Sequence, residues 1–256
     1  MAKKSRAIAI VNQKGGVGKS TTAVSLGACL AQMNEKVLLI DLDPQGNTTS
    51  GLGLDKGDRK KCIYNAIIED DPLSEVVEST QVEGLSIVPA TIQLAGAEIE
   101  LVPIMSRETK LKRAIGPIKK DYDYIIIDCP PSLGLLTINA LTAADQIIIP
   151  IQCEYYALEG LSKLLESVKL IRKNLNSHLE IAGVLMTMHD SRTKISQQVV
   201  DEVAKYFQEK VYKAIIPRTV RLSEAPSFGQ PITIYNPGCS GAIAYQNFAK
   251  EVIKRG

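Results

Sequence analysis

The chain has 256 residues, of which 45% are apolar and 23% charged, and a net charge of +2. That length suffices for one large domain with a well-buried core, and the near balance of charge excludes an overall basic field for holding nucleic acid, so any such surface must be a local patch. The basic N-terminal residues Lys3, Lys4 and Arg6 have no apolar signal core behind them, and we expect neither a signal peptide nor a transmembrane span.

The first predicted strand is the apolar run Ile8, Ile10 and Val11. It leads into Gln13–Thr22 (QKGGVGKSTT), and a helical pattern at Ala23, Leu26 and Leu30 follows. Strand, glycine loop and helix in that order are the context of a phosphate-binding loop. With no side chains at Gly15, Gly16 and Gly18, backbone N–H groups can curl around phosphate oxygens, and the positive end of the next helix faces the same anion. In this reading Lys19 reaches the β- and γ-phosphates and the Ser20 hydroxyl ligates Mg2+. Val17 and Thr21 complete the nucleotide-binding stretch. The loop departs from the G-x-x-x-x-G-K-[ST] template. Gln13 stands where glycine is expected, and a second lysine, Lys14, precedes the glycine pair. Lys14 is either a surface lysine or one aimed at a partner's phosphates.

Lys36–Asp41 reads as a fully buried strand, because its apolar residues are consecutive rather than alternating. It ends in Asp41-Leu42-Asp43-Pro44-Gln45-Gly46-Asn47. Carboxylates at the C-terminal end of a parallel strand lie at the ligand crevice of an α/β sheet. On spacing alone, a polar cap of the strand is equally admissible. Gly51–Asp71 is polar, with a basic run at Arg59, Lys60 and Lys61 that reads as a solvated face. Leu85–Pro89 is a short strand, and Gln93–Leu101 and Ser106–Lys120 have helical spacing, interrupted at Pro103. Tyr122–Asp128 is the next strand. Its closing Asp128 fits a Walker B pattern, in which a buried strand carries a carboxylate to the metal's water shell. The loop Cys129-Pro130-Pro131-Ser132-Leu133-Gly134 is stiffened by two prolines and suits a lever that senses a γ-phosphate.

Gln146–Gln152 is another buried strand. Ala157–Leu175 is an amphipathic helix with a core stripe of Leu158, Leu161, Leu164, Leu165, Val168 and Ile171. Ile181–Met188 is a strand, Lys194–Gln208 a helix and Lys213–Pro217 the last core strand. The final helix puts Ala242, Tyr245, Phe248, Ala249, Val252 and Ile253 on one face. Strands alternate with helices, so we expect one α/β domain over residues 1–256, a P-loop NTPase fold with a mostly parallel sheet covered on both faces. The five cysteines form no C-x-x-C pair, which reads as buried free thiols in a reducing cytoplasm. Arg192, Lys194, Arg218 and Arg221 lie in or beside the loops after the last two strands. On spacing alone they are solvated surface charge, although a helical turn would put Arg218 and Arg221 on one face.

KGGVGKST resembles the deviant Walker A motif of the ParA/MinD family of P-loop ATPases. DxDPQGN is similar to that family's switch I, and CPPSLG to its switch II. MTMHDSRTK, IPRTVRLSEAPSFGQPI, CPPSLGLLTINAL and IQCEYYALEGL resemble the chromosomal ParA branch, the Soj proteins. The likeness covers nearly the whole chain from Ile8 onward. It implies ATP and Mg2+ as cofactors and a sandwich homodimer, in which Lys14 crosses to the nucleotide of the other subunit. Asp43 then helps hold the attacking water, and Asp41 and Asp128 support the metal through its water shell. Pro217 and Arg218 fall where the family contacts adenine. Arg192 and Arg221 fall where the dimer holds double-stranded DNA without regard to sequence. A ParB (Spo0J-like) partner and a nucleoid-associated, cytoplasmic location are implied as well.

Lys14, Lys19 and Asp43 are thus the expected catalytic residues. No strong general base stands out, so slow intrinsic turnover with partner stimulation is expected. Three rival readings stay open. A MinD-like membrane ATPase needs an amphipathic C-terminal anchor. An iron–sulfur reductase of the same superfamily needs exposed cysteines, for which Cys129 and Cys153 are imperfect candidates. A non-catalytic ATP-gated DNA scaffold differs only in lacking turnover.

Overall fold

The computed structural model describes residues 5–57, 59–154 and 160–255. Among them, eight strands form one sheet: β1 (Arg6–Ile10), β2 (Val37–Asp41), β3 (Glu78–Ser79), β4 (Leu85–Val88), β5 (Tyr124–Asp128), β6 (Gln146–Gln152), β7 (Glu180–His189) and β8 (Val211–Pro217). Their order is β3-β4-β2-β5-β1-β6-β7-β8. Every neighbouring pair is parallel except β3–β4. The helices are α1 (Lys19–Gln32), α2 (Asn47–Gly51), α3 (Ile63–Ile68), α4 (Leu94–Glu100), α5 (Lys110–Ile115), α6 (Leu135–Ala143), α7 (Leu161–Asn174), α8 (Lys194–Phe207), α9 (Val220–Glu224), α10 (Ile232–Tyr235) and α11 (Ser240–Lys254).

Consecutive residues of the central strands feed two separate cores. Ala7, Ala9, Leu38, Ile40, Ile125 and Ile127 face one core, shared with residues of α3 to α8. Ile8, Ile10, Leu39, Tyr124 and Ile126 face the other, shared with α1 and α11. Successive side chains of a strand point to opposite faces, so a strand covered on both sides must be apolar throughout. α1 comes unusually close to the sheet at Gly27, where a Cβ would stand 3.2 Å from the side chains of Leu39 and Leu85.

The predicted elements recur with local differences. The polar stretch Gly51–Asp71 contains α3, whose Ile63, Ala66 and Ile67 are buried. Only α5 and flanking 3-10 turns form within Ser106–Lys120, because Gly116-Pro117 interrupts the regular hydrogen bonding. β3, a two-residue antiparallel edge, gave no periodicity to read. Of the predicted stripe on α7, Leu161, Leu164, Val168 and Ile171 are buried. Ala157 and Leu158 lie outside the described residues.

Because β1, β2, β5, β6, β7 and β8 run parallel, the loops after all six open at one end of the sheet. The glycine loop, the aspartates of β2 and β5, and the arginines after β7 and β8 therefore share one rim.

Candidate functional site

The chain turns from β1 into α1 through backbone that favours glycine. Gly16 has φ 74° and Gly18 has φ 88°, the left-handed region in which a Cβ is strained. The loop is braced by two neighbouring strands. Asn12 donates to the Pro150 carbonyl on β6 at 2.7 Å and accepts from the Lys14 backbone N–H at 3.0 Å. Thr187 on β7 donates its hydroxyl to the Val17 carbonyl at 2.8 Å. The free N–H groups at the start of α1 then point out of a rigid frame, which is what an anion site requires.

Lys19 is buried, and its ammonium donates to the Lys14 carbonyl at 3.1 Å. Burial lowers its pKa, while Asp128, Cys129 and Asp43 oppose that shift. The Cys129 thiol is itself pushed well above its ordinary value by burial.

The three aspartates are held differently. Asp41 accepts from the Thr49 hydroxyl at 2.7 Å, the Thr49 N–H at 2.8 Å and the Asp43 N–H at 3.2 Å. It is fully buried and anchors the start of α2. Asp43 accepts from the Gln45 N–H at 2.9 Å and faces the cavity beside the glycine loop. Asp128 accepts from the Thr48 hydroxyl at 2.8 Å through one oxygen, and its buried Oδ1 has no partner. Burial raises the pKa of both Asp41 and Asp128. Asp43 adds to the effect on Asp41; Asp41 and Asp43 add to that on Asp128, and the Ser20 and Thr48 hydroxyls offset part of it. Asp43 and Asp128 stand beside Lys19, and the Ser20 hydroxyl lies next to Asp128, an acidic surround that suits the water shell of a divalent cation held by Ser20.

Two cavities open from this loop. The first, 380 Å³, is lined by Gly15, Gly16, Gly18, Lys19, Ser20 and Thr21 on one side and by Leu222, Ala225, Pro226 and Gln230–Ile232 on the other. The second, 390 Å³, shares Gly18, Thr21, Leu222 and Pro226 with the first and adds Pro217 and Arg218. Pro217 and Arg218 therefore stand beside the loop. The wall formed by Ala225–Ile232 docks on the turn after α2 through backbone contact. A Cβ on Gly229 would lie 2.5 Å from the Gly53 Cα, and one on Gly53 would lie 3.0 Å from the Gly229 carbonyl oxygen.

The arginines meet in a third concavity, of 530 Å³, lined by Asp190, Arg192, Arg218, Arg221 and Glu224 among others. Arg218 does not share a helical turn with Arg221, because α9 starts at Val220, where Thr219 caps it. Chain folding, not helical spacing, brings the two together. The residues that sequence reasoning passed over are Thr48, Thr49 and the wall around Pro226. The two threonines follow the DPQGN run directly, which is the one local signal that pointed to them.

Comparison with known proteins decides the family. A family model described as an AAA domain matches residues 5–181. The chain is 62% identical to the sporulation initiation inhibitor protein Soj of Bacillus subtilis, over 97% of this chain and 98% of that one. It is 52% identical to the chromosome partitioning protein ParA of Myxococcus xanthus, over 98% of this chain and 88% of that one. The chain belongs to the Soj/ParA family of chromosome-partitioning ATPases. The fold agrees. A Mycobacterium smegmatis structure described as cobyrinic acid a,c-diamide synthase with bound ATP analog and magnesium superimposes with a TM-score of 0.86, at 40% identity, covering 98% of this chain and 95% of that one.

Within the Soj/ParA framework two rival readings lose their physical basis. The apolar face of α11 is spent inside: Ala242, Tyr245, Phe248, Ala249 and Val252 are buried against the sheet and α1. No helix of the described residues is long and apolar enough to cross a membrane. Cys129 and Cys153 are both buried, with thiol pKa values raised by that burial, so neither presents a thiolate to a cluster.

Proposed function

We propose that this Soj/ParA protein is an ATP-driven switch that holds DNA as a nucleotide-sandwich dimer and releases it on hydrolysis. The observation that carries this reading is the cavity lined by the glycine loop, Lys19, Ser20 and Asp43, with the unpartnered Asp128 Oδ1 buried beside Lys19. ATP places its phosphates against Gly15, Gly16, Val17, Gly18, Lys19, Ser20 and Thr21, and its base toward Pro217 and Arg218. Ser20 would hold Mg2+ directly, and Asp128 would accept a hydrogen bond from the cation's water shell. Asp41, already supplied with three donors, supports the site by holding the loop that carries Asp43. Asp43 orients the attacking water, and Mg2+, when bound, neutralises charge on the transferring phosphoryl group. Lys14 reaches the nucleotide of the second copy. Residues 1–256 act as one ATPase domain.

DNA is held by Arg192 and Arg221 on the concave arginine face. A net charge of +2 makes one such patch weak. Two patches in a dimer double the number of neutralised phosphates, and affinity rises steeply with that number. Turnover is slow alone and is stimulated by a ParB-type partner and by DNA. The protein works in the cytoplasm, on the nucleoid.

The test is retention on random-sequence duplex DNA with ATP, with ADP and without nucleotide, at two salt concentrations. Retention only with ATP, weakened by salt and abolished by Arg192→Glu, supports the reading. ATP binding without retention would remove the DNA-holding part of it.

A further inference from the structure

Every arginine of the concave face is already engaged by a carboxylate of the same chain. Arg192 donates Nε and Nη2 to Asp190 Oδ1 and Oδ2 at 2.9 and 2.8 Å, and its backbone N–H to Oδ1 at 3.0 Å. Arg218 Nη2 donates to Glu154 Oε1 at 2.6 Å. Arg221 Nη1 donates to Glu224 Oε2 at 2.9 Å, and the Tyr235 hydroxyl donates to the same oxygen at 3.0 Å. The three guanidinium groups are exposed to solvent, the Arg192 side chain to 86%. The carboxylates come from three places: the turn after β7, the turn after β6 and the last residue of α9. Lys194, at the start of α8, has no carboxylate partner among the described residues.

We propose that Asp190, Glu154 and Glu224 are built-in counterions that compete with DNA phosphate for Arg192, Arg218 and Arg221 and so weaken the grip of a single copy on DNA. This rests on the DNA-holding reading above and concerns how that same face is regulated. Two physical effects act together. A phosphate must displace a tethered carboxylate, which then stays nearby and repels it. The freed carboxylate also takes up a cation from solution, which cancels part of the counterion release that drives protein–DNA binding. Arg192 and Arg221 hold Asp190 and Glu224 below their usual carboxylate range, with Tyr235 assisting at Glu224, so these two stay ionised through neutral pH.

The masks are also placed to feel the nucleotide. Arg218 lines both the arginine concavity and the second cavity beside the glycine loop. A base drawn against Arg218 there competes with Glu154 for the same guanidinium. Glu224 directly precedes Ala225 and Pro226, which wall the first cavity. A filled site therefore has two routes to loosen the masks, through Arg218 and through the wall.

The test compares three proteins. One is the unaltered chain, one carries Asp190→Asn, Glu154→Gln and Glu224→Gln, and one carries Glu83→Gln, Glu202→Gln and Glu209→Gln. The last three positions are exposed and none of them lines the concavity, so this control makes the same change in net charge. The substitutions keep an acceptor oxygen for Arg192 N–H and the Tyr235 hydroxyl, and thermal melting checks folding. Binding to a short random-sequence duplex is titrated with ADP and with ATP at two salt concentrations. Exposed ion pairs imply a gain of roughly two- to fivefold per carboxylate, and hence about tenfold or more for the triple variant. The expected result is that gain with ADP, a steeper salt dependence than the unaltered chain, and a control within about twofold of it. Equal gains in control and triple variant mean net charge alone and overturn the proposal. An unaltered chain that binds with ATP, beside a triple variant that binds no better in any state, overturns it while leaving the DNA reading intact. If neither protein binds DNA in any state, both readings fall.

Discussion

Asp41 and Asp128 are direct register partners at the ends of β2 and β5, yet the fold satisfies them in opposite ways. Asp41 receives three donors from its own chain, and Asp128 receives one and keeps a bare oxygen. Two identical residues on adjacent strands thereby divide into a structural anchor and a buried acid with one oxygen left without a hydrogen bond, the one assigned above to the metal's water shell.

Substitution should separate these roles. Asp41→Ala strands the Thr49 N–H, the Thr49 hydroxyl and the Asp43 N–H, and should cost about 2–3 kcal/mol of stability. Asp128→Asn removes a buried repulsion and should leave the melting temperature nearly unchanged, while Mg2+-dependent ATP binding or turnover drops about 10- to 100-fold. Chemical denaturation alongside a magnesium titration reads both. A large stability loss for Asp128→Asn, with metal dependence intact, would reverse the assignment.

Stability of the nucleotide-free protein should fall as pH rises. Asp41 is raised to about 6 and Asp128 to about 7, with burial the leading cause in each. In the unfolded chain both titrate near 4, so the fold holds protons that the unfolded chain has released. That contribution is complete below about pH 4 and is lost as pH climbs through about 6 to 7. Melting curves at successive pH values should show the decline, and Mg2+ with a nucleotide should flatten it, since the cation takes the protons' place. A metal-free protein equally stable on both sides of that window would refute the assignment.

The two lysines of the loop should fail differently. Lys19→Ala removes the buried ammonium beside Asp128 and Asp43 and should abolish ATP binding. Lys14→Ala should leave ATP binding in place and lower partner-stimulated hydrolysis by about two to three orders of magnitude, the usual loss on removing one transition-state donor. Equilibrium nucleotide binding and stimulated turnover, measured on the same samples, distinguish the cases. Undiminished stimulation in Lys14→Ala would end its role across the dimer.

Thiol reagents should find one cysteine of five. Cys29, Cys62, Cys129 and Cys153 are buried, whereas Cys239 is half-buried at the start of α11. Burial pushes Cys29 and Cys153 up to about 12, and Cys129 well above its ordinary value. Near pH 8 a chromogenic disulfide should therefore titrate about one thiol in the native protein and all five after unfolding. Rapid labelling of Cys129 would reopen the metal-cluster reading.

Much of this rim was legible locally. The glycine loop and the two strand-end aspartates each announce themselves within a few residues, because strand, turn and helix constraints act over that range, whereas Pro217 and Arg218 were marked only by the family resemblance. Non-local placement was not legible. Thr48 matters because β5 brings Asp128 to it across 80 positions of sequence. Glu154 matters because Arg218 folds back onto it from 64 positions away. Neither relation has a period or a motif, and α3 was hidden because a helix of one and a half turns carries too few apolar positions to stand out among charges.

The contact between Gly53 and Gly229 has an evolutionary consequence. Most close contacts can drift by exchange, a larger residue on one side being absorbed by a smaller one on the other. Here both partners are already the smallest residue, and both hold positive φ, 80° and 61°. No compensating replacement exists, so the pair has no covariation to show. A saturation library should find two adjacent vetoes in an otherwise permissive surface, and the wall beside the phosphate site would owe its place to a contact that no side chain can report.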